Sequence, residues 1–223
     1  MIKTVIFDMD GVIVDTEPVH HAAYYQHFEQ LQIHVPHEVY TTFTGNSTKN
    51  VYEKLIQLYD LKENVRELVQ KKREIFNNAF DQKEDLQLLD GVLNLIQNLH
   101  QNQYQLVLAS SAAKVTIQRV FNRFGLNKYF SHIVSGEDFQ NSKPNPAIFL
   151  HAAQLAQTPI QNCIIIEDST NGIKASNAAG IYCIGYKSPN SKKQDYTLAN
   201  KIIQHFDELT LDVIKNINTH SNI

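Results

Sequence analysis

The sequence predicts an α/β protein: a Rossmann-like parallel sheet core carrying an inserted all-helical cap domain. Three observations predict it. From Asp90 onward, short apolar strand-like runs alternate with amphipathic helical stretches, the pattern of a parallel sheet. Residues 16–86 break that alternation and hold no clear strand. The stretch before them, VIFDMDGVIVDT at residues 5–16, is a β-branched apolar run that ends in two carboxylates and a glycine. The expected domains are residues 1–15 with 87–223 as the core and residues 16–86 as the cap.

The first strand, residues 2–7, is apolar throughout, as a strand covered on both faces must be. Asp8 and Asp10 at its end cost desolvation unless something ionic or reactive sits there; the plain alternative is that they cap a turn. In the cap stretch, Pro18 lies in a first helical turn behind Thr16, and Tyr24, Phe28 and Leu31 share a face. Val51, Leu55 and Leu58 repeat that spacing, and Val65, Leu68, Ile75 and Phe76 extend it. The core resumes with a helix over 91–99 (Val92, Ile96 and Leu99 on one face), N-capped by Asp90. A strand QLVLAS at 105–110 follows, then a helix with Ile117, Val120, Phe121 and Phe124 stopped by Gly125, then a short strand at 132–135. Asn145 and Pro146 supply a cap and a first helical residue for a helix reaching about residue 156. NCIIIED is a strand that again ends in acids, STNGIKASNAAG a loop and helix closed by Gly180, and IYCIGY a further strand. The tail, 188–223, is polar, with Ile202, Phe206 and Leu209 marking one last packed segment.

Composition narrows the function classes. The chain has 223 residues, a formal charge of -3 and scattered Lys and Arg, so no basic stripe argues for nucleic acid. The doublets Lys71-Lys72 and Lys192-Lys193 read as solvated faces. No apolar run is long enough to span a membrane and the N-terminus enters a strand without a leader, so a soluble, cytoplasmic protein with no membrane partner is expected. Cys163 and Cys183 lie in apolar strand-like runs and read as reduced, buried thiols, and the ten histidines form no HExxH or Cys/His cluster.

Open parallel sheets bind ligands beyond the carboxyl ends of their strands. At those ends stand Asp8 and Asp10, Ser110 and Ser111, and Glu167 and Asp168, with Lys143 in the loop between the third and fourth strands. These groups suit phosphoryl transfer. Carboxylates are the hard ligands of Mg²⁺; the ion and a lysine stabilise charge on the phosphoryl oxygens, and a further carboxylate can attack phosphorus. Ser111 reads better as a helix cap.

DMDGV, Ser110 in LVLAS, Lys143 in SKPNP and IIIEDS resemble, in order and context, the four motifs of the haloacid dehalogenase-like hydrolase superfamily. FDMDGVIVDTEP with its helical cap is similar to the branch that contains β-phosphoglucomutase and small-molecule phosphatases; the resemblance covers roughly residues 1–188. It implies that Asp8 is the nucleophile and Asp10 the general acid and base, its pKa raised by burial on cap closure. Ser110 and Lys143 would hold the phosphoryl group. Mg²⁺ would be bound at Asp8, Asp10 (by its backbone carbonyl), Glu167 and Asp168. A dehalogenase would not need the second acid, so Asp10 favours phosphate chemistry.

Substrate choice is expected on the cap. Candidates are His20 and His21, the FTGNSTKN loop with Gly45, Asn46, Ser47 and Lys49, and the run Lys71, Lys72, Arg73; the preferred set is His20, Asn46, Ser47, Lys49 and Lys72. Where the mutase pattern has a phosphate-gripping arginine, this chain has Thr48 beside Lys49, and lysine lacks the arginine's bidentate fork. The expectation is a monomeric, Mg²⁺-dependent phosphatase acting on a small phosphorylated metabolite, such as a sugar phosphate, through an aspartyl phosphate. The alternatives are β-phosphoglucomutase, inorganic pyrophosphatase and a phospho-ligand binding protein without turnover.

Overall fold

In a computed structural model, residues 1–43, 46–188 and 194–217 are described. Gly45 and the Lys192-Lys193 doublet lie outside the described residues. The elements run β1 (Thr4–Phe7), α1 (Glu17–Gln30), α2 (His37–Tyr40), α3 (Thr48–Tyr59), α4 (Val65–Gln82), α5 (Val92–Gln101), β2 (Gln105–Ser110), α6 (Lys114–Phe124), β3 (His132–Ser135), α7 (Ala147–Leu155), β4 (Cys163–Glu167), α8 (Thr170–Ala178), β5 (Tyr182–Tyr186), β6 (Lys201–Ile203) and α9 (Leu211–Lys215). They divide into two compact units, residues 1–15 with 88–223, and residues 16–87.

The first unit is a six-stranded sheet in the order β3-β2-β1-β4-β5-β6, every pair parallel. Strand order reverses at β1: the chain steps outward through β2 and β3, then returns to β1's other side with β4. A crevice forms at such a reversal, beyond the strands' carboxyl ends. Phe7 is level with Leu108 on one side and Ile166 on the other, so Asp8, the next residue, leaves the sheet in the middle of that edge. One face of the sheet, through Ile6, Val107, Ala109 and Ile165, packs with Phe149, Ala152, Ala153 and Ala156 of α7 and its end, and with Ala175 and Ala179. Alanine at these helical positions lets backbone approach the sheet closely while Phe149 fills the remaining volume.

Local details depart from the sequence reading. β1 begins at Thr4, two residues later than expected, with the Lys3 N–H donating to the Asn162 carbonyl at 2.8 Å beside the start of β4. Gly91 at φ +78° is the N-cap of α5 and makes no side-chain cap bond, so Asp90 does not cap that helix. Pro146 sits at the N-cap of α7, one position earlier than expected, with Asn145 Oδ1 accepting the Ala147 N–H at 3.0 Å. Ala113, and not Ser111, is the N-cap of α6. In the tail, Ile203, Phe206 and Leu209 are buried whereas Ile202 is 49% exposed. The cause is a sixth strand, whose period of two sends neighbours to opposite faces.

In the second unit every element among the described residues is helical. Tyr24, Phe28, Val35, Tyr40, Phe43, Val51, Tyr52, Leu55 and Leu68 form its core, and Leu58 is exposed. Buried His27 Nδ1 and the Tyr52 hydroxyl lie 2.5 Å apart, which satisfies two polar groups inside that aromatic packing.

Candidate active site

The turn after β1 holds the first two acids. Asp8 still belongs to the ladder, donating to the Ile166 carbonyl at 3.0 Å. The chain then reverses: the Met9 carbonyl accepts the N–H groups of Val12, Ile13 and Val14, and Gly11 takes φ +84°. Met9, Val12, Ile13 and Val14 are buried, so an apolar plug fixes the turn and leaves Asp10 half-buried at its rim. Gly11 is needed for a second reason. A Cβ there would lie 2.2 Å from Asp168 Oδ2, which means the Asp168 carboxylate rests directly on the Gly11 backbone.

Lys143 reaches the same place from the loop before α7 and is 3% exposed. Its Nζ donates to Asp8 Oδ1 at 2.5 Å, to Glu167 Oε1 at 2.9 Å and to the Ala109 carbonyl at 3.1 Å. All three donor positions are used. Burial opposes the ammonium's charge, but the Asp8 and Glu167 carboxylates overcome it and raise the lysine's pKa. Asp8 is pushed up to about 7: burial dominates, the Glu167 and Asp10 charges add to it, and Lys143 offsets only part. Ser110 Oγ, also buried, accepts the Ala112 N–H at 3.0 Å and keeps its own proton to donate.

Glu167 is held by both of its carboxylate oxygens. Oε1 takes Lys143, while Oε2 accepts the Ser169 N–H at 2.7 Å and the Ser169 hydroxyl at 3.0 Å. Its carboxylate occupies the space of a side chain at residue 172, where a Cβ would fall 1.6 Å from Oε1. Among the described residues no group of three or more His, Cys, Asp or Glu side chains is placed to hold a metal ion. Of the expected quartet Asp8, Asp10, Glu167 and Asp168, Glu167 has both carboxylate oxygens engaged, by Lys143 and by Ser169. Ser169 and Gly172 are contributors that residue-type reasoning misses, although both lie in or beside the quoted IIIEDS stretch.

The cap candidates fall into two groups. Ser47 is the N-cap of α3, accepting the Asn50 N–H at 3.2 Å; Asn46 Nδ2 donates to the Thr42 carbonyl at 3.0 Å; exposed Lys49 pairs with Glu53 at 3.6 Å. These contacts are local and order the start of α3. Lys72 is different. Lys71 is exposed, but Lys72 is 1% exposed, so the doublet is not a solvated face. Lys72 Nζ lies 2.6 Å from His20 Nδ1 and stands 4.2 Å over the Tyr24 ring and 4.9 Å over that of Phe76. Burial, and then the adjacent ammonium, hold His20 well below the ordinary imidazole pKa, so a neutral Nδ1 accepts from the lysine. His21 stacks on Tyr25, their ring centroids 4.3 Å apart.

A parallel sheet with carboxylates, a buried lysine and a serine hydroxyl at its switch point defines a hydrolase core that handles phosphoryl groups. Comparison with known proteins agrees. Residues 5–186 match the haloacid dehalogenase-like hydrolase family, and the chain belongs to it as an enzyme of the phosphatase and phosphotransferase type. It is 27% identical over 179 residues to the phosphorylated carbohydrates phosphatase of Thermotoga maritima, covering 80% of this chain and 82% of that one. It is 27% identical over 217 residues to the β-phosphoglucomutase of Bacillus subtilis, covering 95% and 93%. The crystal structure of β-phosphoglucomutase from Clostridium difficile superposes with a TM-score of 0.83 at 26% identity, covering 96% of each chain. The chain spans only 18% of a longer chloroplast protein of Arabidopsis thaliana, to which it is 28% identical over 193 residues. No helix among the described residues is long and apolar enough to cross a membrane.

Proposed function

We propose that this enzyme is a Mg²⁺-dependent phosphatase that hydrolyses a small phosphorylated metabolite, a sugar phosphate foremost, through an aspartyl phosphate on Asp8. The observation that carries the reading is the buried Lys143 ammonium, clamped between Asp8 and Glu167 at the sheet's switch point. Phosphatases of carbohydrate phosphates among the relatives support the substrate class.

The residues fit a magnesium ion. Asp8 stays at about 7 even beside Lys143, so an anionic Asp8 at neutral pH calls for more positive charge than the lysine brings. Asp168, resting on Gly11, is the second carboxylate next to the 8–11 turn. Asp8, Asp168 and the Asp10 carbonyl would hold the ion, a set with the one or two carboxylates that Mg²⁺ favours. When bound, Mg²⁺ supplies charge neutralisation to the phosphoryl oxygens.

Asp8 then attacks phosphorus as its ester bond to the leaving oxygen breaks. Asp10 gives that oxygen a proton. Lys143 and the Ser110 hydroxyl face the charge on the phosphoryl oxygens, and Glu167, tied to Ser169, keeps the lysine in place. In the second half, Asp10 takes a proton from water as the water oxygen attacks phosphorus, and Asp8 leaves as a free carboxylate.

A second reading, β-phosphoglucomutase, is favoured by the match along 95% of the chain to the Bacillus subtilis enzyme. Thr48 in place of a cap arginine counts against it. Phosphate release with Mg²⁺ across sugar phosphates, nucleotides and pyrophosphate, beside an assay converting β-glucose 1-phosphate to glucose 6-phosphate, separates the two. Release from one compound without isomerisation is expected. Asp8→Asn should lower kcat by at least about 10⁴-fold with the circular dichroism spectrum kept. Near-native turnover in that variant would remove the covalent mechanism.

A further inference from the structure

A stretch of the polar tail crosses the turn that carries Asp168. Thr170 donates its N–H to Gln194 Oε1 at 2.7 Å, and Asp195 returns an N–H to Thr170 Oγ1 at 2.8 Å. The Tyr196 hydroxyl lies 2.9 Å from the Asp168 carbonyl and 3.3 Å from that of Tyr186, so one phenol spans the ends of β4 and β5. The segment is braced on both sides of the tyrosine. Thr197 donates its N–H and its hydroxyl to Asp195 Oδ1, at 3.0 and 2.7 Å. Asn200 pairs with Cys183 through Cys183 N–H to Asn200 Oδ1 at 2.7 Å and Asn200 N–H to the Cys183 carbonyl at 2.9 Å.

The sequence makes room for this contact. Gly185 interrupts an otherwise bulky strand, and a Cβ there would fall 2.9 Å from Tyr196 Cδ1 and 3.0 Å from Ala199 Cβ. A bare backbone in a strand interior marks a close approach, here that of the tyrosine ring. Asp168 is therefore bounded twice: its carboxylate rests on Gly11, and its carbonyl receives the phenol.

We propose that Tyr196 is a positioning residue for the reaction, fixing the main chain at Asp168 and with it the direction of the carboxylate offered to the metal. This rests on the phosphatase reading above, in which Asp168 binds Mg²⁺. A carboxylate whose backbone can rock must be re-ordered each time the ion binds, so loss of the phenol weakens the ion's affinity and leaves the phosphoryl-binding groups untouched.

The test uses the full chain and the variants Tyr196→Phe, Gln194→Ala and Asp168→Asn. Mg²⁺ alone is titrated by calorimetry, melting temperature is read with and without Mg²⁺, and kcat and KM are measured on the best phosphate ester at saturating Mg²⁺. Tyr196→Phe keeps the ring on Gly185 and removes only the hydroxyl. It is expected to raise the Mg²⁺ dissociation constant about three- to tenfold, with the ester KM at saturating Mg²⁺ within about twofold of wild type. Gln194→Ala shifts the constant in the same direction by less, and carries the test should Tyr196→Phe fail to fold. Lower melting temperatures of the metal-free variants with a wild-type Mg²⁺ constant would overturn the proposal, leaving a purely structural brace. If Asp168→Asn binds Mg²⁺ as tightly as wild type, or wild type binds none, the metal reading itself fails and the proposal falls with it.

Discussion

Among the described residues two lysines are almost wholly buried, one in each unit, and they are held by different chemistry. Lys143 in the sheet unit is clamped by two carboxylates and a carbonyl; Lys72 in the helical unit lies beside an imidazole and over two aromatic rings. The first arrangement concentrates opposite charges at the carboxyl edge of the sheet. In the second, softer arrangement, the ammonium is held by ring faces and a neutral His20. A rigidly held cation in one unit and a more adaptable one in the other is what an enzyme needs if one unit does the chemistry and the other selects the molecule that carries the phosphate.

The largest expected effect breaks the first lysine. Lys143→Met leaves the Asp8 and Glu167 carboxylates buried without the charge between them, and should cost about 3–5 kcal/mol of metal-free stability along with turnover. Lys72→Met removes the ammonium from His20 and from the Tyr24 and Phe76 ring faces, on the order of 1–2 kcal/mol, and should act chiefly on KM. Urea melts of both variants decide this; equal losses would end the distinction.

A smaller effect sharpens it, because the two sites respond to pH with opposite sign. Asp8 holds its proton up to about 7 when folded but releases it near 4 when unfolded, so its site loses stability as pH rises through that window. His20 is pulled below its ordinary value, so the unfolded chain takes the proton first and stability falls as pH drops below about 6.5. In metal-free melts, the advantage of wild type over Asp8→Asn should shrink from pH 4 to 7, and its advantage over His20→Asn should shrink from pH 7 downward. Parallel slopes would contradict the contrast. The smallest effect is Lys49→Ala: its exposed pair with Glu53 should leave stability within about 0.5 kcal/mol, while substrate preference shifts more than the rate on a minimal phosphate ester.

The same contrast explains what the sequence discloses. Asp8, Lys143 and Glu167 are legible as a group because each stands at or near a strand end, and parallel topology brings strand ends together whatever their separation in the chain. The strands at 105–110 and 132–135 are legible for a similar reason, as short apolar runs between helical periods. The burial of Lys72, a residue the sequence already offers as a substrate candidate, is not legible: KKR reads as solvated charge, and Tyr24 and His20, which pack on the lysine, stand on another helix about fifty residues earlier. β6 escapes because three residues carry too little period to register, and Tyr196 because it stands in an unpatterned tail, 28 positions from its acceptor at Asp168. Glu167's employment by Ser169 and Lys143 is hidden for a simpler reason: a residue type names the ligands it could take, and only geometry says which it has.

Gly172 lies inside α8, where alanine would ordinarily favour the helix by about 1 kcal/mol. The Glu167 carboxylate already fills the place such a methyl group would take. Helix propensity and the Lys143 clamp therefore compete for the same few cubic ångströms, and because a methyl group would expel the buried carboxylate, a screen for thermostable variants that reaches this position should return glycine.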